Sequence, residues 1–358
     1  MAVEAPAPLS ESRPQRVGGS LGWAWTVVGP FLGLIGTVLL FAYLTRESGS
    51  FLTVYNWQTI AVQTVIVATA ALGMTLVMIA GGIDLSVGSV VALVCVGMAL
   101  ALKGTEFHAP GFLGGWTLTT PRVPLAWSLG FGVLLGGLCG AVNGALITRL
   151  GVVPFIVTRG TMKVYRGLAK WLSNSTSVNV PPGAKKWWFG RILATEPVPT
   201  WLVVAPGVWV LLGLCVCLAV VLRYSLLGRY LYAIGSNEST ARLCGINVPL
   251  VKVTVYAAAG LATGLAGAMQ FVYLDATGDP VTADGLELQV IAAVVIGGAS
   301  LSGGEGTVLG TLIGCLIMSV LNNGCVLADI PNASQDVIIG AIIVAAVTVD
   351  RYRRTRSS

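Results

Sequence analysis

The feature that most constrains this chain is a series of apolar segments, each close to the ~20 residues that a helix needs to cross a membrane. Two weaker segments lie at 152–171, which carries four basic residues, and at 287–300, which is short. The sequence therefore predicts an all-α polytopic membrane protein with about ten transmembrane helices, some of them short or broken. The strongly apolar segments lie at 23–44, 58–80, 84–102, 125–147, 201–222, 251–273, 306–327 and 335–349.

The composition excludes a water-soluble protein. Hydrophobic residues make up 55% of the chain, charged residues make up 10%, and the mean hydropathy is +0.83, which leaves too few polar side chains to cover a soluble surface. His108 is the only histidine, and the seven cysteines show no metal-ligand spacing. The sequence thus predicts no metal site, no cofactor, no catalytic residue and no nucleic-acid partner.

The distribution of charge predicts the orientation. Basic residues precede the first apolar segment, occur throughout the loop 223–252 and close the chain at 351–358, and such residues favour the cytoplasmic side. The connection 274–286 contains Asp275, Asp279 and Asp284 but no basic residue, as expected outside. Ten spans, with 287–300 counted as a short one, place both the N- and C-termini in the cytoplasm.

The same pattern divides the chain into three regions. Residues 1–20 are polar and are expected to form a disordered cytoplasmic segment rather than a cleaved signal peptide. Residues 21–350 are expected to form a single transmembrane domain in the lipid bilayer, interrupted by the cytoplasmic loop 223–252. Residues 351–358 form a basic cytoplasmic tail.

The string "LSGGE" at 301–305 looks like the "LSGGQ" signature of ATPases of the ATP-binding cassette class. Such an ATPase also needs a phosphate-binding loop of the form G-x-x-x-x-G-K-[ST], and this string is absent from the sequence. The apolar segments on both sides are also too long for a soluble signature loop. ATP binding by this chain is therefore not expected.

The glycines around that string belong to a repeated motif. "GGIDLSVG" at 81–88 and "GGASLSGG" at 297–304 share the frame G-G-x-x-L-S-x-G, so part of the chain is internally repeated. Paired glycines break a helix, and transporters place such breaks at their pathways. The candidate pathway residues are Gly81, Gly82, Asp84, Ser86, Gly297, Gly298 and Ser302.

Two interpretations of these motifs remain open at the level of sequence. In the first, they are tight turns between helices, with Ser86 and Ser302 each capping the following helix and Asp84 favouring a helix N-terminus. In the second, Asp84 contacts a transported substrate directly, because an acidic residue near a span is commonly functional.

The residue pattern of the loop 223–252 predicts a short helix within it. Asn237 or Ser239 can cap its N-terminus, Glu238 suits its first turn, Arg242 suits its end, and Gly245 can stop it. A short helix on the cytoplasmic face suits docking into a groove of a partner protein. The alternative is an ordinary amphipathic connection.

Four strings in order resemble the permease subunit of the ribose-type monosaccharide importers of the ATP-binding cassette class. They are "GGIDLSVGSVVAL", "GVVPFIVTRGTM" followed by "RGLA", "GRYLYAIGSNESTARLCGI" and "VIAAVVIGGASLSGGEGTVLGTLIG", and the resemblance extends over about 54–350. It implies an inner-membrane permease homodimer, a separate cytoplasmic ATPase and a soluble sugar-binding protein outside. The branched-chain amino-acid permeases share the superfamily but fit these strings less well.

The resemblance also implies roles for individual residues. It places the two glycine motifs around the translocation path and assigns ATPase coupling to the central loop. Arg159 departs from the family pattern, which has an apolar or small residue there, so it is expected to line the path or to reach an interface. The coupling positions are Gly235, Asn237, Glu238, Ala241, Arg242 and Gly245.

The leading functional prediction is therefore a passive pathway for a monosaccharide, driven by the ATP cycle of another subunit. One alternative is a permease for another small polar solute, such as a branched-chain amino acid. Another is an ion-coupled secondary transporter, which needs paired ionisable residues in the membrane, whereas Asp84 is the one clear acidic candidate near a break. A membrane enzyme is disfavoured because no nucleophile–base pair or ligand cluster is evident.

Overall fold

The structure is a computed structural model of the chain. The predicted N-terminal segment, apart from Ser20, and the predicted basic tail lie outside the residues that the structure describes. The described residues are 20–47, 49–104, 106–108, 117–119, 122–180, 191–193, 203–331, 333–335, 337–342, 344–345 and 348.

The described part of the chain is almost entirely helical, in agreement with the predicted all-α class. Two short antiparallel strand pairs lie in the connections between helices. β1 (Glu106–His108) pairs with β2 (Thr117–Thr119), and β3 (Val178–Asn179) pairs with β4 (Thr277–Gly278). The helices are α1 (Ser20–Leu44), α2 (Val54–Ile79), α3 (Val87–Lys103), α4 (Leu125–Leu150), α5 (Pro154–Leu172), α6 (Pro206–Tyr224), α7 (Leu226–Ser236), α8 (Glu238–Leu243), α9 (Val248–Tyr273), α10 (Leu286–Ile296), α11 (Val308–Leu327) and α12 (Ala333–Ile342).

Within the described residues every predicted span overlaps a helix, and the part of the span 335–349 beyond Ile342 lies largely outside those residues. In the part of the chain that the structure describes, five of the helices, α2, α4, α6, α9 and α11, are long and apolar enough to cross a membrane. The segment 287–300, predicted as a short span, contains α10 of 11 residues, which is about 16 Å long at 1.5 Å per residue. This is roughly half the ~30 Å hydrocarbon thickness, so α10 is too short to cross a bilayer by itself.

The centre of the fold is α2, which is buried without interruption from Thr64 to Ala80. It packs against α9, α10 and α11, and α9 also packs against α3 and α4. Large apolar side chains point away from this centre on the outer helices: Leu39, Leu134 and Val216 are 64%, 69% and 64% exposed. Such faces suit lipid, while the interior holds the polar groups.

Glycines at intervals of four residues allow α4 and α9 to pack closely. A Cβ added to Gly140 would overlap the carbonyl oxygen of Tyr256, and a Cβ on Gly136 would lie 2.7 Å from Gly264 N. Residues four apart lie on one helix face, and small residues there let two backbones approach. This contact fixes α4 and α9 relative to each other, and both helices contact the first glycine motif, through Asn143 and Tyr256.

Candidate functional site

The two glycine motifs, separated by some two hundred residues in sequence, lie against each other. The backbone N–H of Gly304 donates to the Ile79 carbonyl oxygen at 2.9 Å, and a Cβ added to Gly303 would come within 2.8 Å of Gly81 Cα. Gly81 (φ +76°) and Gly303 (φ +88°) both adopt the left-handed backbone that favours glycine. The repeated frame therefore marks two chain breaks, α2–α3 and α10–α11, that meet in the structure.

The paired glycines that begin each motif lie close against neighbouring helices. A Cβ on Gly82 would come 2.5 Å from the Tyr256 hydroxyl of α9, and a Cβ on Gly297 would overlap the Gly310 carbonyl oxygen of α11. Gly298 follows with φ +91°. Each motif therefore requires small residues at the point where the chain leaves the preceding helix.

Asp84 in the first motif belongs to a buried polar network. Its Oδ1 accepts from the backbone N–H of Ser86 at 2.8 Å and from the Ser86 hydroxyl at 2.6 Å. Asn143 Nδ2 on α4 donates to Ser86 Oγ at 2.9 Å, and the Tyr165 hydroxyl on α5 donates to Asn143 Oδ1 at 3.2 Å. All four side chains are buried, so the network ties the start of α3 to α4 and α5.

The predicted capping roles of the two serines are wrong. Ser86 occupies the N-cap position of α3, but its side chain makes no capping hydrogen bond and binds Asp84 instead. The cap of α11 is Thr307, whose Oγ1 accepts from the Gly310 backbone N–H at 3.1 Å. Ser302 is exposed and lies too many residues before α11 to reach the free N–H groups of its first turn.

The short helix predicted in the loop after α6 is present as α8. Asn237 caps it, because its Oδ1 accepts from the backbone N–H of the third helical residue at 2.9 Å, and the Ser239 hydroxyl donates to the same oxygen. Glu238 lies in the first turn, Arg242 lies in the last turn, and Gly245 follows with φ +83°. The predicted helix is therefore confirmed, with Asn237 as its N-cap.

Glu238 links α8 to the start of α9. Arg242 Nη2 lies 2.6 Å from Glu238 Oε1, and Lys252 Nζ lies 2.7 Å from Glu238 Oε2. Partial burial raises the pKa of Glu238, but the hydrogen bonds and charges of Lys252 and Arg242 outweigh this effect and lower its pKa overall. Glu238 is thus held ionised at neutral pH and orients both basic side chains.

The tip of α8 is exposed beside a groove that Arg242 helps to line. The Arg242 side chain is 60% exposed and Leu243 is 88% exposed, whereas Ala241 is buried. The groove, of ≈ 250 Å³, lies between α8, the start of α9 and the α4–α5 connection. Sequence reasoning did not single out Leu243, because one apolar residue in a six-residue helix carries no periodic signal.

The segment that carries α8 also contacts the glycine motifs. A Cβ on Gly235, near the end of α7, would overlap the Ile79 carbonyl oxygen and the Gly304 backbone nitrogen. The Tyr232 hydroxyl, one turn earlier, donates to the Gly306 carbonyl oxygen at 2.8 Å. Helix α7, which the sequence did not predict, therefore joins the exposed tip of α8 to the place where both motifs meet.

Two arginines on α5 have different surroundings. Arg159, the departure from the family pattern, lies on the exposed face of the helix. Arg166, which sequence reasoning did not treat as functional, is 11% exposed and donates to the carbonyl oxygens of Pro280 and Thr282 at 3.1 and 2.6 Å. Its Nη2 also lies 3.6 Å from Asp284 Oδ1. Arg166 thus holds the α9–α10 connection against α5.

Comparison with known proteins gives matches over most of the chain. Residues 56–347 match the family described as branched-chain amino acid transport system / permease component. The ribose import permease protein of Escherichia coli is 37% identical over 328 residues, which cover 90% of this chain and 93% of the relative. No solved structure matches the chain.

Two further relatives act on other sugars according to their names. The L-arabinose ABC transporter permease protein of Azospirillum brasilense is 33% identical over 352 residues, covering 98% of this chain and 95% of the relative. The D-allose transport system permease protein of Escherichia coli is 33% identical over 330 residues, covering 91% of this chain and 92% of the relative.

Proposed function

The chain belongs to the family of branched-chain amino acid transport system permease components, and we propose that it is the membrane subunit of an ATP-driven importer of a monosaccharide. The support is that relatives similar over nearly their whole length are named for ribose, L-arabinose and D-allose. The chain resides in the inner membrane as a multi-pass protein. It is a transport subunit rather than an enzyme.

The proposed assembly contains two copies of this chain, a separate cytoplasmic ATPase and a soluble sugar-binding protein outside. The ten helices that coincide with the predicted spans cross or enter the bilayer, with both termini cytoplasmic. In this topology α7, α8 and both glycine motifs face the cytoplasmic half of the membrane. The connection 274–285 faces outside, where the binding protein delivers the sugar.

The observation that carries this proposal is the path of contacts from the tip of α8 to the glycine motifs. Arg242 and Leu243 are exposed for docking, while Gly235 touches the backbone of both motifs at their junction. A push on α8 by the ATPase therefore acts directly on the junction between α2–α3 and α10–α11. The coupling role extends to Asn237, which caps α8, to Ala241, which is buried beneath it, and to the glycine after it.

The glycine motifs position the helices around the path. Asp84 acts through Ser86 and Asn143 as a positioning residue, since its carboxylate is buried and already hydrogen-bonded. The exposed face of α5 carries Arg159 and Lys163. Because charged side chains are costly in lipid, this face lies along the aqueous path rather than against acyl chains.

The docking role of α8 is tested by Arg242→Glu. A partner surface tuned to a basic residue meets a like charge in this variant, which weakens the binding of the ATPase by about 100-fold if the contact costs a few kcal/mol. The new carboxylate repels Glu238 at i,i+4, which costs α8 only about 0.5 kcal/mol, while Asn237 still caps the helix and Lys252 still pairs with Glu238. The measurements are co-purification of the ATPase and ATP-dependent uptake of radiolabelled sugar in vesicles.

Two further variants separate charge from shape. Gly245→Val places a β-branched residue at φ +83°, where it is strained, and should also uncouple transport without changing charge. Arg122→Glu reverses an exposed charge in the connection before α4, far from α8 in sequence, and should have no effect on ATPase binding. If both α8 variants bind the ATPase and transport sugar like the parent, α8 is an ordinary connection.

A further inference from the structure

A cavity lined by carboxamide side chains lies between α2, α9, α10 and α11. Its volume is ≈ 270 Å³, and Ile66, Val67 and Leu286 form part of its apolar wall. Its lining contains no charged side chain among the described residues. The polar residues that line it are Gln63, Gln270, Gln289, Ser319, Asn322 and Gln335.

Two oxygen atoms in this lining are buried without a hydrogen-bond partner among the described residues. They are Gln63 Oε1 on α2 and Ser319 Oγ on α11. Buried polar groups are nearly always hydrogen-bonded, so each such atom calls for a partner that comes from elsewhere. Polar contacts that only hold helices together would pair all these groups, as Asn322 Nδ2 pairs with Gln289 Oε1 at 3.5 Å. The unpaired oxygens therefore point to an occupant of the cavity.

The chemistry of the lining defines that occupant. Carboxamide and hydroxyl groups both donate and accept hydrogen bonds, as the hydroxyl groups of a sugar do. A zwitterionic amino acid would bring two charges into a site without a compensating charge, which is costly. The volume lies just below the ~300–1,000 Å³ of pockets for drug-sized ligands, so the occupant is small.

The position of the cavity fits delivery from outside. Gln270 lies near the C-terminal end of α9, and its Nε2 donates to the Thr282 hydroxyl at 3.1 Å in the α9–α10 connection. The Thr282 carbonyl oxygen accepts from Arg166 of α5. In the proposed topology this connection faces outside, so the cavity lies in the outer half of the membrane and one wall is held by Arg166.

We propose that this carboxamide-lined cavity is a subsite for one small neutral polyhydroxy solute within each copy of the chain, with Gln63 and Ser319 as direct hydrogen-bonding groups. The inference deepens the proposed importer function and rests on it for the identity of the solute as a monosaccharide. The subsite is built from one chain and is distinct from the glycine motifs and their polar network.

The first test compares two glutamine substitutions on α2. Gln63→Met removes the unpaired carboxamide at nearly constant volume, whereas Gln58→Met removes a carboxamide that donates to the Val203 carbonyl oxygen outside the cavity. Uptake is measured in vesicles that contain the ATPase and the binding protein, with D-ribose, L-arabinose and D-allose. The loss of one neutral hydrogen bond to the solute should lower uptake by about three- to tenfold for Gln63→Met only.

Thermal unfolding shows whether a variant lowers uptake by losing a contact with the solute or by destabilising the fold. Gln63→Met and Ser319→Ala each remove a buried group that has no partner, so the unfolding midpoint should stay the same or rise. Lower uptake with an unchanged or higher midpoint supports the subsite. Unchanged uptake in both variants, or a fall in the midpoint that parallels the loss of uptake, overturns it.

The second test does not depend on transport. Ser319→Cys is introduced into a background in which the exposed Cys217 and Cys244 are replaced by serine, and the other five cysteines are buried. A water-soluble thiol reagent should label this variant, and the three sugars should slow the labelling severalfold while L-leucine does not. Absence of labelling, labelling that no sugar slows, or labelling that L-leucine slows equally contradicts a neutral polyhydroxy subsite that is reached from water.

The two tests distinguish failure of the subsite from failure of the proposed function. Protection by sugar without ATP-dependent uptake by the parent supports the subsite and contradicts the importer proposal. Normal uptake by the parent and by Gln63→Met, without protection, contradicts the subsite and leaves the importer proposal standing.

Discussion

The two glycine motifs have the same frame, but their polar residues have different roles. Asp84 and Ser300 occupy equivalent positions, and each side chain accepts the backbone N–H two residues later, at 2.8 Å and 3.3 Å. The equivalent serines then differ, because Ser86 is buried and bonded to Asn143, whereas Ser302 is exposed. The shared frame therefore specifies the break in the chain, and the variable positions decide whether that break also joins neighbouring helices.

The largest loss of stability is expected at Gly303, the glycine of the second motif that contacts Gly81 of the first. Gly303→Ala combines a positive φ with a Cβ that would lie 2.8 Å from Gly81 Cα and 2.9 Å from the Gly235 carbonyl oxygen. We expect a destabilisation of about 3 kcal/mol and loss of most transport. Gly81→Ala has the positive φ but no contact closer than 3.7 Å, so about 1 kcal/mol is expected.

Thermal unfolding of the purified variants measures this difference. Gly160→Ala is the matched control, because a Cβ there meets nothing within 4 Å and the backbone is helical. Equal losses for the alanine variants of the two motifs would mean that their junction is looser than the structure indicates.

A smaller loss of stability is expected when Asp84, the carboxylate that only the first motif has, is replaced. Asp84→Ala leaves the buried N–H and hydroxyl of Ser86 without their acceptor, which should destabilise the protein by about 2 kcal/mol. Asp84→Asn keeps one acceptor oxygen and should lower transport only a few-fold. Ser302→Ala, at the exposed position of the second motif, should change the stability by less than about 0.5 kcal/mol.

The role of Asp84 is then decided by comparing stability with transport. Normal stability of Asp84→Asn together with a loss of transport by orders of magnitude would favour direct contact with the substrate. That result would contradict a positioning role.

A loss of stability smaller than that of Asp84→Ala is expected at Thr307, which caps α11 in place of Ser302. Thr307→Ala removes the side-chain acceptor of the Gly310 backbone N–H and should cost about 1 kcal/mol. Thr307→Ser keeps the hydroxyl and should be close to the parent in its unfolding midpoint. If Ser302→Ala proved the more damaging change, the assignment of the cap to Thr307 would be wrong.

Much of the fold was predictable because apolar periodicity and capping residues are local signals. Within the described residues the predicted apolar segments overlap helices, and the cap, charges and stop of α8 follow from Asn237, Arg242 and Gly245. The coarse functional class was also predictable, since four ordered strings carry the family resemblance.

The remaining features depend on contacts between residues distant in sequence. The sequence placed Ser302 as a cap because it matches Ser86 in the frame, but the start of α11 lies several residues later, at Thr307. The contact of Gly235 with the Ile79 carbonyl oxygen requires the packing of α7 against α2, which no local pattern specifies. The same holds for Arg166, whose partners lie more than a hundred residues away.

The central claim is that this chain is a passive pathway driven by a separate ATPase. The most direct measurement is uptake of radiolabelled D-ribose, L-arabinose and D-allose into vesicles that contain the chain with or without its ATPase and with the binding protein outside. We predict uptake of at least one of these sugars only when both the ATPase and ATP are present. Uptake of a sugar driven by a proton gradient in vesicles that lack the ATPase would contradict the account.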